Sequence, residues 1–211
     1  MQNILCFGDS NTWGYIPGSG FRYDEASRWT TIAQCLLGNE FCIYEAGLNG
    51  RTTTCDEPGR AFRNGSKTLN LYLESCRPLD MVIIMLGTND LKASFAQTID
   101  HIRHGAKALC KQALEFDYAP YHTPQIILVA PAPLVETAEL DQEFADMIAN
   151  SRRIAPAYYE LSKELNINFI DAGRVVKPSI IDGVHWDQDG HSHFAQHLSA
   201  VIKQLSDINN K

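Results

Sequence analysis

The sequence lacks a long apolar run, a cluster of basic residues and the start of a secretory signal. A membrane-spanning helix needs roughly 18 to 20 consecutive apolar residues, and no run in the chain approaches that length. The chain carries 18 Lys and Arg against 25 Asp and Glu, a formal net charge of −7, which disfavours nucleic acid and anionic membranes as partners. The N-terminus has neither the charged nor the apolar region of a signal peptide. We therefore expect a cytoplasmic protein with no membrane or nucleic-acid partner.

Several motifs of other enzyme classes are also absent. There is no Gly-x-Ser-x-Gly sequence, which argues against an α/β-hydrolase, and no Walker or dinucleotide glycine pattern. The six cysteines show no Cys-x-x-Cys spacing, so we expect reduced thiols rather than disulfides or metal ligands. His193 and His197 lie four residues apart in a predicted helix, near His191, but no Asp, Glu or Cys stands where it would complete a metal site. The sequence thus predicts neither a metal nor a cofactor.

Apolar runs alternate with amphipathic segments along the whole chain. With 211 residues and 45% hydrophobic content, the chain can bury one good core, and we expect a single domain over residues 1–211. Predicted strands cover residues 4–7, 41–44, 81–86, 125–130 and 168–171. Predicted helices cover residues 27–37, 66–76, 98–115, 139–165, with Pro156 as a kink or restart, and 188–205 after Asp187 as cap. This alternation is typical of an α/β fold with a parallel sheet between two helix layers.

The segment around Ser10 organises the rest of the prediction. Gly8 follows the first predicted strand directly, and Asp9, Ser10 and Asn11 are residue types that begin helices. Ser10 therefore lies at a strand-to-helix corner. In an open parallel sheet this corner is at the carboxyl edge of the strands, where ligands bind.

Four polar segments follow predicted strands and should meet at that edge: residues 8–11, 47–52, 87–90 and 182–185. Ser10 can serve as a nucleophile, His185 as its base, and Asp182 as the carboxylate that orients the imidazole. The Ser10 N–H, the Gly50 N–H and the Asn89 amide can form an oxyanion hole. Taken one by one, these residues are more typical of a helix cap, a local hydrogen bond and a turn than of catalysis. Their joint placement at one edge favours catalysis.

Two further features concern the surroundings of this edge. Residues 16–21 contain Pro17, Gly18 and Gly20 and are expected to form an irregular loop above Ser10. Trp13 and Trp186 flank the nucleophile and the base in sequence. Either can be a core residue, but we expect at least one to line the acyl or alcohol pocket.

The four blocks resemble those of the SGNH (GDSL-type) esterase family. They are Gly8-Asp9-Ser10, Gly50, Gly87-Thr88-Asn89-Asp90 and Asp182-Gly183-Val184-His185, and the longer matches, such as residues 4–10 and 82–90, are similar to its arylesterase/acyltransferase branch. The resemblance implies a flavodoxin-like three-layer α/β/α fold with a five-stranded sheet, and ester hydrolysis without a metal. Asn11 stands where the name-giving block has Leu. Gly50 fits the family pattern, whereas the arylesterase branch can carry another small residue there.

The function expected from these observations is hydrolysis of short-chain, acetyl-type esters through an acyl-enzyme on Ser10, with some acyl transfer to alcohols. Deacetylation of O-acetylated carbohydrates is an alternative. A non-catalytic module that binds a small ligand at the same edge is an alternative of another class, although a binder has no need for Ser10, Asp182 and His185 together. The sequence leaves open whether the chain is a monomer or a homo-oligomer.

Overall fold

A computed structural model describes residues 1–209 and contains five strands that alternate with α-helices. The strands are β1 (Gln2–Gly8), β2 (Phe41–Gly47), β3 (Met81–Met85), β4 (Gln125–Ala130) and β5 (Asn168–Asp171). The helices are α1 (Ser10–Trp13), α2 (Trp29–Leu37), α3 (Gly65–Cys76), α4 (Ile99–Glu115), α5 (Ile148–Leu165) and α6 (Gln188–Asn209).

All five strands are parallel and form one sheet in the order β2-β1-β3-β4-β5. This is the flavodoxin-like order, and it confirms the predicted fold class. The chain continues outward from β1 to β2 and then returns to β3 on the other side of β1. Ligands bind at such a switch point, at the carboxyl ends of the strands. The ends of β1, β2 and β3 therefore define where a site is expected.

The sheet separates two apolar layers, as the alternation along β1 illustrates. Leu5 and Phe7 pack in a core with residues of α3, α4 and α5, whereas Ile4 and Cys6 pack in a second core with residues of α2 and α6. Successive side chains of a strand point to opposite faces, so a strand covered on both faces is apolar at every position. This explains the unbroken apolar runs that predicted β3 and β4.

Two predicted helix boundaries are wrong. Helix α2 begins at Trp29, because Ser27 ends a short 3₁₀ turn (Glu25–Ser27) capped by Asp24. Residues 139–147 are not part of a long helix; they form a loop with a 3₁₀ turn (Gln142–Phe144), and α5 starts at Ile148. The apolar spacing was correct, but local capping by aspartate competed with helix formation.

Pro156 lies inside α5 and does not restart it. A proline removes the hydrogen bond to the carbonyl four residues earlier. Here Pro156 and Arg152 are both exposed, so water can reach that carbonyl. The helix therefore continues as one element.

The structure also addresses two expectations from the sequence: reduced cysteines and the lack of a membrane-spanning helix. All six cysteines are free thiols, and burial raises the pKa of Cys110 to about 12. Among residues 1–209, no helix is both long enough and apolar enough to span a membrane.

Candidate active site

Ser10 lies at the corner between β1 and the four-residue helix α1. Asp9 caps this helix, since its Oδ1 accepts a hydrogen bond of 3.0 Å from the Asn11 N–H. Gly8 is required at the corner: a Cβ there would lie 2.0 Å from Thr12 Oγ1 and 3.1 Å from the Met85 carbonyl oxygen. Glycine thus lets the chain turn closely enough to present Ser10 at the end of β1.

The structure brings Ser10, His185 and Asp182 together in one hydrogen-bonded chain. Ser10 Oγ lies 2.9 Å from His185 Nε2, and His185 Nδ1 lies 2.8 Å from Asp182 Oδ2. Ser10 and His185 are 175 positions apart in sequence, so this contact depends on the whole fold. The arrangement has the geometry of a nucleophile, a base and an orienting carboxylate.

Asp182 is held by backbone N–H groups as well as by the imidazole. Its Oδ1 accepts hydrogen bonds from the N–H groups of Val184 (3.0 Å) and His185 (2.9 Å), and its Oδ2 accepts one from Gly18 (3.0 Å). Partial burial alone would raise the pKa of Asp182, but the hydrogen bonds and charge of His185 lower it to about 2. The carboxylate is therefore ionised across the neutral pH range and can accept a hydrogen bond from the Nδ1–H group of His185.

The three expected oxyanion donors follow three neighbouring strands. Ser10 comes after β1, Gly50 after β2 and Asn89 after β3. The Ser10 N–H is in the first turn of α1 and has no intrahelical acceptor. Gly50 is in a turn closed by the Arg51 N–H and the Leu48 carbonyl (3.0 Å), with φ +79°. This backbone conformation favours glycine.

Asn89 has one amide proton engaged and one free to serve a ligand. Its Nδ2 donates to the Arg51 carbonyl at 3.1 Å, and an amide nitrogen carries two donors. The Arg51 guanidinium in turn donates to the carbonyls of Gly8 and Ala46 and lies over the Phe7 ring at 4.0 Å. Arg51 thus connects the ends of β1 and β2 with the side chain of Asn89.

A second buried carboxylate supports this region. Asp90 accepts hydrogen bonds from the backbone N–H of Thr53, at 3.0 Å, and from its hydroxyl. Burial raises the pKa of both Asp90 and Asp9 to about 6. The polar residues 52–65, interrupted by Pro58 and Gly59, predict a surface loop, but Thr52 and Thr53 are buried. Because Thr53 is polar, the sequence pattern indicated an exposed residue and gave no sign of its hydrogen bonds to Asp90.

The two tryptophans occupy different environments. Trp13 is partly buried, with the Arg22 guanidinium 5.1 Å from its ring centroid. Trp186 is 1% exposed and its ring packs against Phe194 and His191 in the core between the sheet and α6. The expectation of a pocket role for Trp186 is therefore corrected, because its ring is covered by the core. Being next to His185 in sequence does not decide the side to which a residue points.

Tyr15, an aromatic residue to which no sequence motif points, lies against the imidazole of His185. The Tyr15 ring stacks on the His185 imidazole with centroids 4.1 Å apart and an interplanar angle of 27°. Tyr15 begins the loop of residues 16–21, which is closed by a hydrogen bond from Ile16 N to the Phe21 carbonyl (2.9 Å). Through Gly18 this loop reaches Asp182, as expected for a loop above the Ser10 edge.

In the part of the chain that the structure describes, the three histidines of α6 do not form a metal site with other ligands. His191 is buried, and its Nδ1 accepts a hydrogen bond from the Trp29 N–H at 3.2 Å. Within residues 1–209, no group of three or more His, Cys, Asp or Glu side chains could hold a metal ion. His193 and His197 lie on the same helix without such a group.

Comparison with known proteins gives one family match. The sequence model of the GDSL-like lipase/acylhydrolase family matches residues 6–202, which include Ser10, Gly50, Asn89, Asp182 and His185. The comparison with curated proteins found no match.

Solved structures of esterases are similar over nearly the whole chain. A carbohydrate acetylesterase from Sinorhizobium meliloti is 35% identical, with a TM-score of 0.92 over 97% of this chain and 100% of that one. The aryl esterase of M. smegmatis is 33% identical, with a TM-score of 0.92 over 97% of this chain and 100% of its own. A lipolytic G-D-S-L family protein from Veillonella parvula is 17% identical with a TM-score of 0.66, and shares the fold.

Proposed function

The chain belongs to the GDSL-like lipase/acylhydrolase family, and from this premise we propose that it hydrolyses short-chain acyl esters through an acyl-enzyme on Ser10. It is a carboxylic ester hydrolase that acts on small-molecule esters, like the similar esterases of known structure. The non-catalytic binding module considered from the sequence is thereby excluded.

One observation carries the proposed mechanism: the continuous hydrogen-bonded chain from Ser10 through His185 to Asp182. Its two links, of 2.9 Å and 2.8 Å, are both within the reach needed for proton transfer. The imidazole must offer a free electron pair at Nε2 to act as a base. Because ionised Asp182 accepts a hydrogen bond from the Nδ1–H group, it favours the tautomer in which the electron pair at Nε2 faces Ser10.

In the acylation step, Ser10 Oγ bonds to the ester carbonyl carbon while its proton passes to His185 Nε2. The carbonyl oxygen becomes an oxyanion, which accepts hydrogen bonds from the N–H groups of Ser10 and Gly50 and from Asn89 Nδ2. The tetrahedral intermediate then collapses. The bond to the leaving oxygen breaks, and that oxygen takes the proton from His185 Nε2 and departs as an alcohol.

Deacylation repeats these steps with water. His185 Nε2 takes a proton from water as the water oxygen bonds to the acyl carbon, and the same three donors hold the second oxyanion. Collapse breaks the bond to Ser10 Oγ, which recovers its proton from His185. The products are the free acid and the regenerated enzyme, and no metal or redox partner takes part in the steps.

The surroundings of the triad support a preference for short acyl groups. The Tyr15 ring covers one face of the His185 imidazole, and the loop of residues 16–21 contacts Asp182 through Gly18. Trp13 lies next to this loop, with Arg22 bonded to its carbonyl at 2.7 Å. We infer that these aromatic residues narrow the entrance to Ser10; a narrow entrance would favour acetyl-type chains and lower the advantage of water over an alcohol as the second nucleophile.

The experiment that tests the mechanism compares the hydrolysis of p-nitrophenyl acetate by the wild type, Ser10→Ala and His185→Ala. We expect both variants to lose nearly all turnover while their circular dichroism spectra remain those of the wild type. Mass spectrometry of the wild type after rapid quenching should find an acetyl group on the peptide that contains Ser10. Full turnover by purified Ser10→Ala would refute the proposal.

A series of p-nitrophenyl esters tests the substrate size. We expect kcat/KM to fall from acetate to dodecanoate, because the proposed narrow entrance beside Tyr15 and Trp13 would exclude the longer chain. Faster turnover of the dodecanoyl ester would contradict the narrow entrance. Addition of a primary alcohol to a vinyl acetate assay then tests acyl transfer, for which new ester should increase with alcohol concentration. If free acid is the product at every alcohol concentration, the enzyme is a hydrolase without acyl transfer to alcohols.

Deacetylation of carbohydrates is the second candidate, because one similar structure is described as a carbohydrate acetylesterase at 35% identity. The test is the release of acetate from acetylated monosaccharides and oligosaccharides, compared with phenyl acetate at equal concentration. A higher kcat/KM for the sugars would favour this candidate. A higher value for phenyl acetate would favour an arylesterase.

We further propose a cytoplasmic enzyme that binds neither nucleic acid nor membrane. The formal net charge of −7 is unfavourable for both polyanions. Cell fractionation with an antibody to the chain tests the location, and co-sedimentation with anionic vesicles tests membrane binding.

A further inference from the structure

Asn11 forms two hydrogen bonds with the backbone on either side of His185. Its Nδ2 donates to the Val184 carbonyl at 3.3 Å, and its Oδ1 accepts from the Trp186 N–H at 3.0 Å. These two groups belong to the peptide bonds that flank the Cα of His185. The side chain of Asn11, the residue directly after the proposed nucleophile Ser10, therefore fixes the backbone of His185, the proposed base.

The Asn11 backbone is itself fixed on both sides. Its N–H donates to Asp9 Oδ1 at 3.0 Å, and its carbonyl accepts from Trp29 Nε1 at 3.0 Å. Trp29 is 1% exposed and Asn11 is 4% exposed. Both hydrogen bonds from the Asn11 amide to the backbone around His185 are thus shielded from water. The Asn11 backbone that carries this amide has little freedom to move.

The residue type matters because the two contacts need one donor and one acceptor on the same side chain. Asparagine supplies both, whereas leucine has nearly the same shape and supplies neither. The GDSL pattern has Leu at this position, so the two amide contacts distinguish this chain from that pattern.

We propose that Asn11 is a positioning residue that sets the distance and angle between Ser10 Oγ and His185 Nε2. It touches neither the substrate nor the reacting atoms; it acts through the backbone of His185. This inference rests on the proposed function, in which His185 takes the proton of Ser10. A shift of the His185 backbone would lengthen the 2.9 Å contact that carries the proton.

The test compares Asn11→Leu with Asn3→Leu as a matched control. Asn3 also has a side-chain amide bonded to a backbone carbonyl, that of Pro78 at 2.9 Å, but it lies in β1 at the opposite edge of the sheet. Both substitutions remove an amide, and both are expected to lower the melting temperature. Only Asn11→Leu should lower kcat for p-nitrophenyl acetate, by about 10- to 100-fold. Its KM should stay within about threefold, because binding of the ester is not altered.

A second measurement separates positioning from general destabilisation. Proton NMR follows the hydrogen shared between His185 Nδ1 and Asp182, and we expect its low-field signal to shift or broaden in Asn11→Leu and not in Asn3→Leu. Activities are compared at a temperature where circular dichroism finds each variant fully folded. Should Asn11→Leu fail to fold, Asn11→Ser, which leaves room for water near both peptide groups, is judged by the same criteria.

Two outcomes would overturn the inference. One is a kcat of Asn11→Leu within about twofold of the wild type, and the other is a raised KM at unchanged kcat, which would make residue 11 a pocket wall. Ser10→Ala in the same series separates this failure from that of the proposed function. An inactive Ser10→Ala beside a fully active Asn11→Leu refutes the role of Asn11 alone.

Discussion

The ring of Tyr15 stacks on the imidazole of His185, with the two centroids 4.1 Å apart and the planes inclined by 27°. Tyr15 follows α1 by two residues and pairs with Arg22 across the loop that it begins. The ring of the proposed base is therefore bounded by Tyr15 on one face, while its two nitrogens face Ser10 and Asp182. An imidazole held in this way has little freedom to rotate away from Ser10.

Replacement of Tyr15 tests the value of this contact. An aromatic pair contributes about 0.5 to 1.5 kcal/mol, so we expect Tyr15→Ala to lower kcat by about 2- to 13-fold. Tyr15→Phe keeps the stacked ring and should recover most of that loss, whereas Tyr121→Ala, which removes an exposed tyrosine elsewhere, should have no effect. Equal losses in Tyr15→Ala and Tyr15→Phe would assign the effect to the hydroxyl instead of the ring.

Asp182→Asn removes the charge that holds the imidazole tautomer and keeps the size of the side chain. Because the pKa of Asp182 is lowered to about 2, the carboxylate is charged at assay pH and its loss should reduce kcat by about 10³-fold or more. Asp171→Asn is the matched control, since Asp171 also accepts a loop N–H, that of Gly173 at 3.0 Å, but lies at the end of β5. Steady-state kinetics at pH 8 checks both, and similar activities of the two variants would contradict the role of Asp182.

Asn89→Ala tests the proposed oxyanion hole. The loss of one such donor typically reduces kcat by about 10²- to 10³-fold with little change in KM, because the donor acts on the transition state. Asn89 also bonds the Arg51 carbonyl, so some loss of thermal stability is expected as well. The kinetics are therefore measured on fully folded protein, and normal turnover with a lowered melting temperature would make Asn89 a structural residue only.

The fold could be predicted largely from the sequence because buried parallel strands have an unmistakable composition. The limits of β4 (Gln125–Ala130) and β5 (Asn168–Asp171) were predicted to the residue, and the helix predicted over residues 98–115 matches α4 (Ile99–Glu115) to within one residue. The start of α5 was predicted wrongly, because residues 139–147 have helical spacing but form a loop with one 3₁₀ turn capped by Asp141. Such competition between short-range hydrogen bonds and helix formation leaves no clear trace in periodicity.

The residues proposed for catalysis could be selected from the sequence because they follow strand ends, whereas their supports could not. Asn11 and Arg51 act through contacts to backbone atoms, and such contacts depend on the path of the chain rather than on a motif. Trp186 is the opposite case, a residue that was selected from the sequence but does not line a pocket. A residue next to His185 looked suitable for a pocket, but its side chain points into the core.

Buried His191 predicts how stability depends on pH. Burial lowers its pKa from 6.5 to about 4, opposed by the charge of Asp187, with His185 and Arg28 lowering it further. Between those two values the unfolded chain binds a proton that the folded chain does not, so stability falls as the pH is lowered through this window. At about 1.4 kcal/mol per pKa unit, the shift corresponds to roughly 3 kcal/mol, of which about 2 kcal/mol is lost by pH 5.

His191→Phe should remove this dependence, because phenylalanine keeps an aromatic ring beside Tyr23 and Trp186 and does not titrate. Asp9 and Asp90, whose pKa values are raised to about 6, make the folded chain more stable as the pH falls. Their effect is present in both the wild type and His191→Phe and therefore cancels in the comparison. The measurement is therefore the difference in unfolding free energy between wild type and variant, from urea titrations at pH 7.5, 6 and 5. We expect the wild type to lose about 2 kcal/mol relative to His191→Phe over this range. A constant difference would mean that His191 takes up its proton equally in the folded and unfolded chains.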